Sequence, residues 1–492
     1  MTLSSRGGIA ALIVLGAFSA IGAAAERDPR IAQVEAGLLP LAAEKLGVTA
    51  TLAERMKAYG VSGLSVAVID NGKIAWAKGY GVADSRSGRP VTANSLFQAA
   101  SISKPISALG ALLLVQKGKL HLDEDVNLQL KSWKVPDSNL TRDQPVTPRM
   151  LMNHASGLSD CVPDNEPGDG RPTLLQLLKK VCVVSPPGKR VEYSAEGYEV
   201  LQQLTVDVSG EAFAEYMRKA VLAPLGMKHS VFADTSFPAK WVRKVAVGHG
   251  ADGQVVPEPL ELGPSLAVAG LWTTPTDIAQ YVIAVQKTFK GSTSMVLKPP
   301  LVQEMLRPGL GGRGLGPTLS GSGPSMRFGH DGGQGAYLAT FLGFLDEGRG
   351  AVVMVNSGHD FMLILEVIDS IRRAYGWPEL GETVQRPPAA SLGQQLVVPV
   401  SSSNLLKVRT RFKLNDRYEL EIYPRGRELF IEGPGFVTSQ VFEVPDGRLF
   451  CPQMTFSDLG SPWLQLVFDS SGKVSKLRAD DDGSVVLDAV VE

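Results

Sequence analysis

Phe97-Gln98-Ala99-Ala100-Ser101-Ile102-Ser103-Lys104-Pro105-Ile106-Ser107-Ala108-Leu109-Gly110-Ala111-Leu112-Leu113-Leu114-Val115-Gln116-Lys117-Gly118 is the stretch on which the fold turns. From Pro105 onward almost every face is apolar, which predicts a helix lodged in a protein core. Gly118 supplies its stop, and Pro105 suits a first turn, where a backbone N–H lacks a partner anyway. Ser101 and Lys104 lie three residues apart at the helix start, so the lysine amine can approach the serine hydroxyl. The partial positive charge of the helix N-terminus favours an oxyanion developing there. Serine is a poor nucleophile unless a neighbour takes its proton. A lysine can do so only when neutral, and desolvation depresses its usual pKa of about 10.4. The same S-x-x-K spacing recurs at Ser470-Ser471-Gly472-Lys473, in a polar stretch between two strand-like runs, where it reads as a hairpin turn.

On either side of this helix the chain reads as sheet. Upstream, Ser65 to Asp70 and Lys73 to Ala77 are joined by Asn71-Gly72, the strongest short hairpin signal because a type I′ turn needs positive φ twice. Far downstream, Met326 to His330, Ala336 to Leu345 and Ala351 to Asn356 read as three strands, with Gly332-Gly333 and Glu347-Gly348-Arg349-Gly350 as turns. Phe361 to Tyr375 then shows helical spacing and ends at Gly376. The simplest assembly is an α/β (α+β) fold, with one antiparallel five-stranded sheet made from both ends, flanked by helices and split by a helix-rich insertion. Arg386-Pro387-Pro388-Ala389-Ala390-Ser391 looks like a linker. Beyond it, alternation in steps of two (Tyr418 to Ile422, Trp463 to Phe468) predicts a small all-β barrel or sandwich.

Composition narrows the partners. Lys+Arg total 49 against Asp+Glu 50, so the basic excess of a nucleic-acid binder is missing. Arg6, the apolar run Ile9 to Ile21 and the small residues Ala23-Ala24-Ala25 have the layout of a cleavable export signal. That run is shorter than the roughly 20 residues that span a bilayer. Of three cysteines, Cys161 and Cys182 flank a Pro/Gly/Asp-rich loop and are one candidate pair, while Cys451 lies in a strand-like segment. No Cys/His cluster and no H-E-x-x-H suggests a metal, so no metal or cofactor is expected. Gly309-Leu310-Gly311-Gly312-Arg313-Gly314 fits a dinucleotide fingerprint by letter but does not open a βαβ unit, and reads as a flexible loop. No phosphate-binding P-loop and no G-x-S-x-G elbow occur.

Several further segments follow the Ser101 motif in a fixed order. They are Arg149-Met150-Leu151-Met152-Asn153-His154-Ala155-Ser156-Gly157-Leu158, Pro187-Gly188 leading to Tyr193-Ser194-Ala195-Glu196-Gly197-Tyr198, Pro224-Leu225-Gly226-Met227, Gly270-Leu271-Trp272-Thr273-Thr274, and Phe328-Gly329-His330-Asp331-Gly332-Gly333. With Phe97 to Pro105 they resemble the serine β-lactamase and penicillin-binding family, in its class C and DD-carboxypeptidase branch, over roughly Ser65 to Gly376. The resemblance implies Ser101 as nucleophile, Lys104 as its proton partner and Tyr193 as the base serving the leaving group or the deacylating water. It implies His330 and Gly332 beside the substrate, and the backbone N–H groups of Ser101 and Gly333 as an oxyanion hole, a device often worth about 3 kcal/mol per donor. Asn153 and His154 read as turn and cap residues, and the loop Ser159 to Arg171 as solvated chain. Where the family's tyrosine motif usually ends in Asn, this chain has Ala195, which removes a contact to a substrate amide.

These readings divide the chain into an export signal (1–25), a hydrolase domain (26–380), a linker (381–395) and an accessory β domain (396–492). The expected function is hydrolysis of an ester or amide through acyl-Ser101, in the periplasm or outside the cell. The substrate would be a small ester, a peptide such as a cell-wall peptide, or a β-lactam-like molecule. Carboxylesterase, D-amino-acid peptidase and β-lactamase stay open within that class. The rival reading is a non-catalytic cell-wall or β-lactam-binding protein. Oligomeric state is not legible.

Overall fold

The structure, a computed structural model, describes residues 28–39, 49–161 and 172–380 apart from short gaps at 235–236, 238, 251, 257–262, 293–295, 347 and 359–360, and the strands of a C-terminal sheet beyond 397. The export-signal segment, the linker, Cys451, Ser470 to Lys473 and nearly all of the loop up to Arg171 lie outside the described residues.

Asn71 and Gly72 adopt φ of 52° and 67°, so the two-residue turn forms as expected between β1 (Gly63–Asp70) and β2 (Lys73–Asp84). The downstream strands are β4 (Thr318–Ser320), β5 (Arg327–Gln334), β6 (Tyr337–Phe344) and β7 (Gly350–Val355), with β3 (Arg89–Pro90) on the upstream side. The antiparallel order is β3-β2-β1-β7-β6-β5-β4. Among the described residues the sheet therefore has seven strands, not five, because short segments of two and three residues dress its two edges. Its centre is the expected union of both chain ends, Val66 facing Val353 across the β1–β7 seam.

Gly332 and Gly333 do not turn the chain. They continue the ladder opposite Ala339 and Leu338, and the reversal comes later, at Gly335 with φ 52°. Gly332 is needed because a Cβ there would collide with the Ala99 carbonyl.

Side chains alternate across the strands. Leu64, Val66 and Val68 of β1 join a core behind the sheet with α1 (Leu52–Ala58) and α5 (Met362–Tyr375). Ala67 and Ile69 face the other way, into a larger core with α2 (Ser103–Gln116), α3 (Ala195–Ser209) and α4 (Pro275–Phe289). In α2, every residue from Ser103 to Leu114 is buried, as its unbroken apolar character predicts. Gly376, in the left-handed region at φ 61°, closes α5. Behind the sheet a buried charge is fully matched. Arg55 on α1 donates through Nε to Glu366 Oε2 at 2.8 Å and through Nη2 to Oε1 at 2.9 Å, and the Tyr59 hydroxyl adds a third bond at 2.7 Å.

Past residue 409, eight strands among the described residues, from Thr410–Asn415 to Ser484–Val491, pair antiparallel in chain order. Phe436–Glu443 also pairs with Leu449–Phe450, and Thr410–Asn415 with Ser484–Val491. Tyr423 of this sheet is buried in the core behind the main sheet. Among the described residues no helix is long and apolar enough to cross a membrane.

Candidate active site

Two neighbours pin the start of α2. The short strand Phe97–Gln98 pairs with Leu271–Thr273, the Ala99 N–H donates to Leu271 O at 2.8 Å, and the Leu271 N–H donates to Ser103 Oγ at 3.0 Å. Thus Gly270 to Thr273 fixes the segment that presents the serine. A 3-10 turn, Ala100–Ile102, leads into the helix. Ala100 holds φ at 46°, a disfavoured conformation for a residue with a Cβ and of the kind that gathers at functional sites. β5 packs against this turn, and β4 covers β5 only as far as Gly329. From His330 on, that edge faces the nucleophile turn.

Lys104 is 1% exposed. Its Nζ donates to Ser101 Oγ at 3.0 Å and to Val268 O at 3.3 Å. Val268 sits on the short helix Leu266–Ala269, which Gln202 of α3 anchors through the Ala267 N–H at 2.8 Å. Burial pulls the lysine down to about pH 7, against the opposing charges of Glu196 and Glu199. A lysine in this state is a base near neutrality, and its hydroxyl partner is already within hydrogen-bond reach.

Tyr193 is brought in from the loop that ends at Ser194, the N-cap of α3, whose Oγ accepts from the Gly197 N–H at 2.8 Å. Lys104 Nζ lies 4.8 Å from the centre of the Tyr193 ring. Tyr193 is half exposed, yet desolvation holds its pKa above the usual value, against the opposing influence of Ser101 and the Arg313 charge. Serine, lysine and tyrosine therefore meet, with the resting proton on the phenol rather than shared toward a tyrosinate. His330 is buried, its ring 6.3 Å from that of Tyr193. Its Nδ1 is 2.5 Å from Asp331 O, and burial holds it down to about pH 3, so the ring is neutral. Protonated on Nδ1, it keeps a lone pair on Nε2, which has no hydrogen-bond partner among the described residues.

Residues 48–368 match the family model described as Beta-lactamase. The chain belongs to the β-lactamase family. Among curated relatives it is 24% identical over 244 residues to Protein flp of Staphylococcus aureus (strain MW2), covering 49% of this chain and 46% of that one. It is 28% identical over 223 residues to Penicillin-binding protein 4* of Bacillus subtilis (strain 168), covering 43% and 47%. The matches thus span about half the length of those relatives. An octameric penicillin-binding protein homologue from Pyrococcus abyssi shares the fold, with a TM-score of 0.59 at 22% identity over 90% of this chain and 98% of that one. A D-amino acid amidase from Ochrobactrum anthropi SV3 aligns with a TM-score of 0.54 at 26% identity over 66% and 96%. This β-lactamase-family chain also forms the Cys161–Cys182 disulfide, with Cα atoms 5.9 Å apart.

Two residues near the site do not follow from the motifs. Arg313, from the glycine-rich loop that mimics a dinucleotide fingerprint, lies 5.7 Å from the centre of the Tyr193 ring. That loop is a wall of the site, since a Cβ on Gly311 would press on Val191, two residues before Tyr193. His154, read as a turn residue, stacks on Tyr193 with ring centres 4.3 Å apart.

Proposed function

We propose that this chain hydrolyses an ester or amide through an acyl-Ser101 intermediate. The observation that carries the proposal is the buried Lys104 amine, 3.0 Å from Ser101 Oγ and held down to about pH 7. In acylation, neutral Lys104 takes the Ser101 proton as Oγ attacks the carbonyl carbon. The oxyanion is met by the N–H groups of Ser101, at a helix start where such groups lack intrahelical partners, and of Gly333. As the tetrahedral intermediate collapses, the Tyr193 phenol protonates the leaving group, and the phenolate recovers a proton from the Lys104 ammonium. In deacylation a water gives its proton to this pair, attacks the acyl carbon and releases Ser101, which takes the proton back.

Within that reaction, Ala195 on the first turn of α3 favours esters, since no side-chain amide stands there to hold a substrate amide. The similarity to a D-amino acid amidase supports small D-amino-acid amides as a second class. The Cys161–Cys182 disulfide supports a site of action outside the cytoplasm, as expected for an exported protein.

Intact-mass spectrometry after a fluorophosphonate pulse, followed by peptide mapping, should place one adduct on Ser101. A panel of p-nitrophenyl esters, D-alanyl amides and a chromogenic cephalosporin should show turnover of esters first. No adduct and no turnover would end the proposal. A β-lactam adduct that persists without release would favour the binding-protein reading.

A further inference from the structure

His154 grips the tyrosine loop at three points. Its carbonyl accepts from the Glu192 N–H at 2.8 Å, and its Nδ1 accepts from the Ser194 N–H at 3.1 Å. Those are the residues on either side of Tyr193. Its ring then stacks on the Tyr193 ring, 4.3 Å between centres and 27° from parallel. The ring is 1% exposed and also packs against Tyr198, 5.2 Å between centres, whose hydroxyl is tied to Met152 O at 2.9 Å. The grip needs an unusual backbone, because His154 holds φ at 62°. A turn or cap alone would take Asn or Gly there at less strain. To accept from Ser194, Nδ1 must be unprotonated, and burial beside Arg313, Lys104 and His330 keeps the imidazole neutral, down to about pH 2.

We propose that His154 is a positioning residue that aims the Tyr193 phenol at the Ser101–Lys104 pair by clamping both of its backbone neighbours and stacking on its ring. Tyr193 needs such a clamp, since it sits in a loop with half its side chain in solvent. The proposal rests on the reading of Tyr193 as proton carrier, and it gives a shell residue a catalytic consequence without substrate contact.

The test uses the full chain and His154→Asn, which tolerates the left-handed backbone and keeps a side-chain acceptor for Ser194 while deleting the stacked ring. His154→Gly serves as a second variant that relieves the strain altogether. In the parent background each should lower kcat on a p-nitrophenyl ester by about 10- to 100-fold, the scale of a misplaced catalytic group, with little change in KM. In a Tyr193→Phe background the same changes should cost less than about twofold, because the group they aim is gone. Equal losses in both backgrounds would overturn the proposal and leave His154 a purely structural residue. Protein labelled with 3-fluorotyrosine gives an independent readout. The Tyr193 line, identified by its loss in Tyr193→Phe, should move toward the position of free fluorotyrosine in both His154 variants. A line that stays in place would also overturn the clamp. If Tyr193→Phe leaves turnover intact while the line moves, the proton-carrier reading fails and the clamp stands.

Discussion

Two buried cations lie on opposite sides of one sheet and are treated in opposite ways. Behind it, Arg55 is 6% exposed and meets the Glu366 carboxylate with two nitrogens, while Tyr59 fills a further acceptor position. In front, Lys104 is 1% exposed and has a hydroxyl and a carbonyl, but among the described residues no carboxylate in contact. A matched buried charge can stay charged, whereas an unmatched one gives up its proton instead. Burial alone therefore does not make a base. The difference lies in what is withheld from Lys104: its acidic neighbours Glu196 and Glu199 act only through space, against a larger desolvation.

The largest expected effect comes from deleting the unmatched charge. Lys104→Met keeps the length and loses the amine, so fluorophosphonate labelling of Ser101 should slow by about 100- to 10,000-fold, the usual share of a positioned base. Stability should move the other way. Lys104 has a folded pKa of about 7 against about 10.4 in the unfolded chain. Its folded pKa is depressed, so folding carries a penalty that is complete below pH 7 and vanishes as pH rises through 10.4. The Met variant should then be more stable than the parent by about 1–3 kcal/mol near neutrality, and by less at pH 10. Urea melts at both pH values read this, and a variant less stable than the parent near neutrality breaks the comparison.

Glu366→Gln tests the other side. It removes the carboxylate that accepts from two Arg55 nitrogens in the buried core, which should cost about 3–5 kcal/mol of stability. The rate of Ser101 labelling per folded molecule should stay at the parent value, because the site lies on the far face of the sheet. A changed labelling rate in folded protein would mean that the two cores are coupled.

How much of this could be read from the sequence follows from the range over which each signal acts. The hairpin at Asn71-Gly72 and the helix ending at Gly376 are local, and both form where their own residues place them. The α2 helix and its Ser101–Lys104 pair are likewise set by one turn of backbone. Tyr193 is not: its place beside Lys104 depends on α3, and only the order of family motifs pointed to it. Gly332 shows the opposite failure. A Gly-Gly pair reads as a turn, but here glycine is required by the approach of Ala99 from another part of the chain. Arg313 and His154 escaped for the same reason, since a glycine-rich loop and an Asn-His turn carry no local mark of the ring they both address.

The finest effect concerns the two through-space carboxylates. If desolvation sets the lysine, the rate of Ser101 labelling should fall about tenfold per unit as pH drops below 7 and level off above it, since only the neutral amine takes the serine proton. An ordinary lysine would place that bend near 10. Glu196 is the larger of the two opposing charges, so its carboxylate favours the ammonium. Glu196→Gln should therefore move the bend to lower pH, with the plateau rate little changed. A bend that moves up would mean that Glu196 acts on some other group. A bend near 10 in the parent would mean that the front face, like the rear one, keeps its cation charged, and the contrast between the two buried charges would vanish.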